Sequence, residues 1–133
     1  MLKDISRIML TDGSTKAAID VFPGARIASD KKRKGVPVED RVIEEKNETV
    51  SLMFSNGDSI EGSRDQKVYV WSPKVRYCKT MEQIELGERV VGWVSGLMTV
   101  LHVAGIRYHT DAPHRLVGFR TGQPYVADGV VVR

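Results

Sequence analysis

Thr49-Val50-Ser51-Leu52-Met53-Phe54-Ser55-Asn56-Gly57-Asp58-Ser59-Ile60-Glu61-Gly62 is the stretch whose reading decides the fold class. Val50, Leu52 and Phe54 fall at every second position, which in an extended chain places all three on one face. Asn56-Gly57 follows, and both residue types tolerate the positive φ that a tight hairpin turn demands. Ile60 then resumes the apolar face on the return strand, leaving the opposite face wet. A helix would instead require apolar residues three and four apart, and no window of the chain sustains that spacing between caps.

Outward from this hairpin, short runs rich in Val, Ile and aromatics recur between turn signals, and strands are predicted over residues 7–10, 16–20, 26–29, 41–45, 49–55, 59–62, 67–71, 75–79, 89–94, 98–109, 115–120 and 125–133. Asp12-Gly13 and Asp128-Gly129 mark further tight turns. Only residues 81–86 suggest a helical turn. The spacing suits an all-β sandwich or a coiled barrel. Residues 30–40 carry Lys31, Lys32, Arg33 and Lys34 in a row, then Gly35 and Pro37, and read as an exposed loop within one domain spanning residues 1–133.

Composition narrows the function classes. With 133 residues and 41% hydrophobic content the chain can form one core. Twenty Lys and Arg against 17 Asp and Glu give a net charge of +3, mild for a chain that grips nucleic acid. Cys78 is the only cysteine, so no internal disulfide is available, and a reducing compartment is favoured. No apolar run approaches the roughly 20 residues needed to cross a bilayer, and Lys3, Asp4 and Arg7 interrupt the start where a signal peptide would be apolar. The expected location is intracellular, in the cytoplasm or within a virion, with no membrane contact.

The chain also echoes itself. Ile19-Asp20-Val21-Phe22-Pro23-Gly24-Ala25-Arg26-Ile27 is answered by Ile84-Glu85-Leu86-Gly87-Glu88-Arg89-Val90, with Gly24 and Gly87 63 residues apart. Phe54-Ser55-Asn56-Gly57 is answered by Phe119-Arg120-Thr121-Gly122, an offset of 65 between Gly57 and Gly122. Two echoes at nearly one offset predict a duplicated β unit, each half too small to cover its own apolar face.

Four blocks carry a resemblance to a known family. Ser6-Arg7-Ile8-Met9-Leu10-Thr11-Asp12-Gly13-Ser14-Thr15-Lys16, followed by Ile19, Asp20, Val21, Gly24 and Arg26, resembles the opening block of inteins and other hedgehog/intein (Hint) domains. Residues 54–69, with Asn56-Gly57-Asp58 and Gly62-Ser63-Arg64-Asp65-Gln66-Lys67, are similar to the second block, and residues 81–91 to the block after it. Pro124-Tyr125-Val126-Ala127-Asp128-Gly129-Val130-Val131-Val132-Arg133 is similar to the closing strand. The blocks occur in family order over essentially the whole chain, with no room for an inserted endonuclease. The resemblance implies an all-β, horseshoe-like Hint fold with a pseudo-two-fold repeat.

It also implies where the chemistry should lie. Hint autoprocessing uses a Cys, Ser or Thr at the first residue to attack the preceding carbonyl; the matching residue is Met1, whose thioether cannot be deprotonated. The second block carries Thr-x-x-His, the His polarising the scissile amide and protonating its nitrogen; the matching residues are Ser63 and Gln66. Gln66 can donate a hydrogen bond but cannot shuttle a proton near neutral pH. The family closes with His then Asn, and Arg133 stands at the His position. Catalytic residues are therefore expected to be missing at Met1, Ser63, Gln66 and Arg133.

The remaining candidates are read more plainly. Cys78, His102, His109 and His114 match no standard zinc spacing and are expected as packed, edge or loop side chains, so no metal and no cofactor is expected. Trp71 and Trp93 are expected in or beside the core. Lys31, Lys32, Arg33 and Lys34 are the one candidate binding run, and no aromatic is interleaved with them for base stacking. Three functions follow: an inactive Hint-like module serving as a structural or protein-interaction piece, for instance in a viral or mobile-element assembly; a self-splicing domain altered and shortened at its ends; or a small basic barrel binding nucleic acid through residues 31–34. A protein partner is expected on the first reading, and the oligomeric state is open, since long strands with free edges can pair across a dimer.

Overall fold

In the computed structural model, which describes residues 1–30, 32 and 34–133, the strands in chain order are β1 Leu2–Lys3, β2 Arg7–Met9, β3 Thr15–Ala17, β4 Arg26–Ile27, β5 Val36–Pro37, β6 Asp40–Lys46, β7 Thr49–Phe54, β8 Ser59–Gly62, β9 Lys67–Val70, β10 Tyr77–Thr80, β11 Arg89–Val94, β12 Leu97–His109, β13 His114–Arg120, β14 Tyr125–Ala127 and β15 Val130–Val132. The hairpin read from the sequence is β7–β8, with Leu52 opposite Ile60 and Gly57 at φ +92°. Asn56 supplies its Oδ1 to the Asp58 N–H at 3.0 Å, which closes the turn. Val50, Leu52, Phe54 and Ile60 are all buried; each such side chain contributes about 1.5–3 kcal/mol of apolar transfer energy.

Thirteen strands form one continuous sheet in the order β3-β2-β14-β15-β9-β11-β12-β7-β8-β1-β13-β6, with β10 added on β9; β4 and β5 pair separately. Both ends of the chain are thus interior to the sheet. β1 lies between β8 and β13, while β14 and β15 lie between β2 and β9. The closing strands are buried at every position, which accounts for an unbroken Val130-Val131-Val132 run where a half-wet strand would alternate. Phe119 meets Tyr125 edge to face, with centroids 5.9 Å apart.

The repeat is present in the backbone. Two 3-10 turns, Ala18–Asp20 and Met81–Gln83, sit at the same offset as Gly24 and Gly87, whose φ angles are +92° and +83°. The halves then exchange arms. Take a residue of β6 and its β13 partner, add 63 to the first and subtract 65 from the second; the result is a pair of the β12–β7 ladder. Lys46↔His114 maps to His109↔Thr49, and Val42↔Gly118 maps to Gly105↔Met53, with all pairs between agreeing. The correspondence ends at the bulge between Val103 and Gly105. Each half therefore covers the other's apolar face, as a duplicated unit must.

Some elements differ from the sequence reading. The strand predicted over 16–20 stops at Ala17, because the Ala18 and Ile19 N–H groups turn inward to the carbonyls of Ser6 and Asp4 at 2.8 and 3.0 Å. The strand predicted over 125–133 is two strands, reversed at Asp128-Gly129 with φ of +52° and +76°. Two short strands, β1 and β5, carry too few residues for alternation to reveal them. Residues 81–86 do open with a 3-10 turn, whose Gln83 side chain reaches back to accept the Thr80 N–H at 3.0 Å. Among the described residues no helix is long and apolar enough to cross a membrane.

Candidate functional site

The turn that joins β8 to β9, Ser63-Arg64-Asp65-Gln66, lies between the two ends of the chain. On one side Leu2 of β1 pairs with Gly62 and the Ser63 N–H donates to the Met1 carbonyl at 2.8 Å. On the other side Val132 of β15 pairs with Val68 and the Arg133 N–H donates to the Lys67 carbonyl at 3.2 Å. Sheet topology alone thus brings Met1, Ser63, Gln66 and Arg133 together from four separate places in the sequence.

Their side chains complete the junction. The Met1 main-chain nitrogen donates to Ser63 Oγ at 2.9 Å, and Ser63 Oγ donates to Asp65 Oδ1 at 2.6 Å. That hydroxyl holds the Asp65 carboxyl below the ordinary carboxylate range. Gln66 is buried, and its Nε2 donates to the carbonyls of Lys67 and Arg133, each at 3.0 Å. The Gln66 main chain is tied as well, accepting the Met81 N–H at 2.8 Å. Met1, Gln66, Tyr125 and Arg133 open onto one cleft of about 370 Å³, walled opposite by Asp40, Val42 and Glu44 of β6.

Chemically this is a clasp. It offers fixed donors to main-chain carbonyls at both ends of the chain. The Ser63 hydroxyl is already committed to Asp65, burial pushes the Tyr125 phenol up, away from ionisation near neutral pH, and the central amide carries no titratable proton. Asp65 was not singled out in the sequence, although Ser-x-Asp spacing is a recurrent local hydrogen-bonding pattern that could have flagged it.

A pH dependence follows from Asp65. Its folded pKa is depressed, so its contribution to stability is present above the ordinary Asp value of 3.8 and disappears as pH falls through the depressed one. Denaturant midpoints measured between about pH 6 and 3 are expected to fall less steeply for Asp65→Asn than for the parent chain. Parallel curves would show that the Ser63–Asp65 bond is not retained in solution.

The other candidates lie elsewhere. Lys31 and Arg33 are outside the described residues; Lys32 and Lys34 are exposed, and the Lys34 carbonyl accepts Arg26 Nε at 3.2 Å. Cys78 and the three histidines do not converge, and among the described residues no group of three or more metal-ligating side chains exists. Cys78 sits opposite Tyr69 in the β9–β10 ladder, where burial first and Cys78 second push the Tyr69 hydroxyl up. His102 is exposed. His109 and His114 are 6.0 Å apart by ring centroid; His109 Nε2 is hydrogen-bonded to Ser51 Oγ at 2.9 Å, and His114 Nδ1 accepts from Lys3 Nζ at 2.6 Å. Trp71 is half-buried beneath the Arg89 guanidinium, 4.4 Å from its ring centroid, and Trp93 is half-buried too.

A β horseshoe with exchanged arms, its chain ends meeting at the turn after β8, is the Hint fold. Solved structures bear this out across the whole chain. The TvoVMA intein superposes with a TM-score of 0.83 at 13% identity, covering 98% of this chain and 95% of that one. A bacterial intein-like domain from Clostridium thermocellum gives 0.80 at 17% identity, covering 100% and 99%. A DnaB intein from Synechocystis sp. PCC 6803 gives 0.80 at 13% identity, covering 99% and 96%. No family model and no curated relative matches the chain by sequence.

Proposed function

We propose that this chain is a Hint-fold module that no longer processes itself and serves as a structural or protein-interaction piece, its single domain acting as a clasp that fixes the two chain ends side by side. The observation that carries this reading is the junction itself. The positions that match the reactive groups of the inteins this chain resembles meet there, and their side chains are a thioether, a committed hydroxyl, a carboxamide and a guanidinium. None of these is an activated nucleophile, and Gln66 cannot exchange a proton with a leaving nitrogen near neutral pH. What remains is hydrogen bonding from Ser63 and Gln66 to the carbonyls of Met1, Lys67 and Arg133.

Intact mass recorded over days on the chain set between two flanking segments tests this. The expected result is one unchanged mass, with and without added thiol. Release of either flank from the unaltered sequence would overturn the proposal and would require a nucleophile other than Met1.

A further inference from the structure

We propose that β6 is a self-recognition edge, through which a second copy of this chain pairs antiparallel across a two-fold axis at Ile43. β6 ends the thirteen-stranded sheet and, among the described residues, pairs only with β13. The Asp4 N–H donates to the Arg115 carbonyl at 3.1 Å, so the odd-numbered residues of β13 face β1 and its even-numbered residues face β6. In the β6–β13 register even residues oppose even ones, which leaves the N–H and C=O groups of Arg41, Ile43 and Glu45 directed outward. The free edge is long enough to act as a template.

The ends of that edge are complementary in charge to their own reverse. Asp40-Arg41-Val42-Ile43-Glu44-Glu45-Lys46 laid antiparallel on a second copy, centred at Ile43, sets Asp40 opposite Lys46 twice and Val42 opposite Glu44 twice, with no like charges opposed; Arg41 falls opposite Glu45, but its guanidinium already donates to the Ile19 and Val21 carbonyls at 2.7 and 3.1 Å, so the Asp40–Lys46 pairs carry the complementarity. The same register places the outward-facing main-chain groups of Arg41, Ile43 and Glu45 against those of Glu45, Ile43 and Arg41 in the other copy, as a ladder requires. At the centre Val42 and Ile43 are 49% and 45% exposed. The Arg41 N–H is held by Asp40 Oδ1 at 2.8 Å, and Lys46 of the second copy offers that carboxylate a replacement partner. The inference does not depend on whether the chain processes itself.

Sedimentation equilibrium on the full chain, loaded from about 5 to about 500 µM, is expected to show a monomer–dimer equilibrium with a micromolar Kd, as suits a small interface. Asp40→Lys and Lys46→Asp are each expected to raise that Kd roughly tenfold, and the double reversal to restore it to within about threefold, because the cross-strand pairs are re-formed with signs exchanged. In a Cys78→Ser background, Ile43→Cys is expected to give a disulfide-linked dimer on mild oxidation, since directly opposed residues of such a pair have Cα atoms about 5.5 Å apart. Leu97→Cys, 71% exposed at the tip of the β11–β12 hairpin, is expected not to do so. A chain that stays monomeric throughout, or a dimer indifferent to the charge reversals, would overturn the proposal.

Discussion

With Met1→Cys and Gln66→His combined, the chain carrying a segment ahead of residue 1 is expected to release that segment within hours when a small thiol is added. The introduced sulfur would attack the carbonyl carbon of the preceding residue; the C–S bond forms, the C–N bond breaks, and the residue 1 nitrogen gains a proton. The external thiol then exchanges with the thioester and frees the flank. Two observations support this expectation: the residue 1 nitrogen lies 2.9 Å from Ser63 Oγ, and position 66 is buried on a cleft it shares with Met1. Met1→Cys alone supplies the nucleophile but leaves an amide where a proton donor is needed, so its release is expected to be about 10²–10⁴-fold slower, the usual worth of a positioned general acid. Gln66→His alone is expected to release nothing. Intact mass and gel assays with and without thiol read all three. If the double variant remains whole while its circular dichroism and unfolding midpoint match the parent, residues 1 and 66 do not occupy reactive positions, and the clasp would owe nothing to lost autoprocessing.

How much of this could be read from the sequence depends on which physical signal each part carries. The β7–β8 hairpin was legible because alternation and an Asn-Gly turn are local and agree. The arm exchange was legible only as two echoes, Gly24 with Gly87 and Gly57 with Gly122, and these glycines do share left-handed φ values. The partners that the echoes implied were not legible: β6 with β13 and β7 with β12 are long-range pairings, and alternation within a strand says nothing of its neighbour. The inward turn at Ala18 was missed for a related reason, since its cause is a pair of carbonyls at Ser6 and Asp4. Met1, Ser63, Gln66 and Arg133 were reached through family likeness, because no spacing rule links residues so far apart in the chain. The β6 wall of the cleft has no local signature, because the β6–β13 pairing places it there.

Gly62→Ala is expected to destabilise the fold by about 3 kcal/mol, far more than a methyl group on a strand ordinarily costs. A Cβ at this position would stand 2.6 Å from the Met1 carbonyl oxygen and 3.4 Å from Gln66 Cβ and Met81 Sδ. The first of these is main chain, held from the other side by the Ser63 N–H at 2.8 Å, so it cannot swing aside as a side chain would. Relief requires β1 to move off β8. That forfeits a hydrogen bond worth about 1 kcal/mol and loosens Leu2, which is fully buried and carries about 2–3 kcal/mol of transfer energy. Gly57→Ala is the control: nothing lies within 4 Å of its added Cβ, and only the φ of +92° opposes it, so a loss of about 1 kcal/mol is expected. Denaturant unfolding gives both values, and hydrogen exchange at the Ser63 N–H should accelerate for Gly62→Ala alone. Equal losses for the two variants would mean that the first strand is not clamped against the turn, and the clasp would then lack the contact on which its geometry rests.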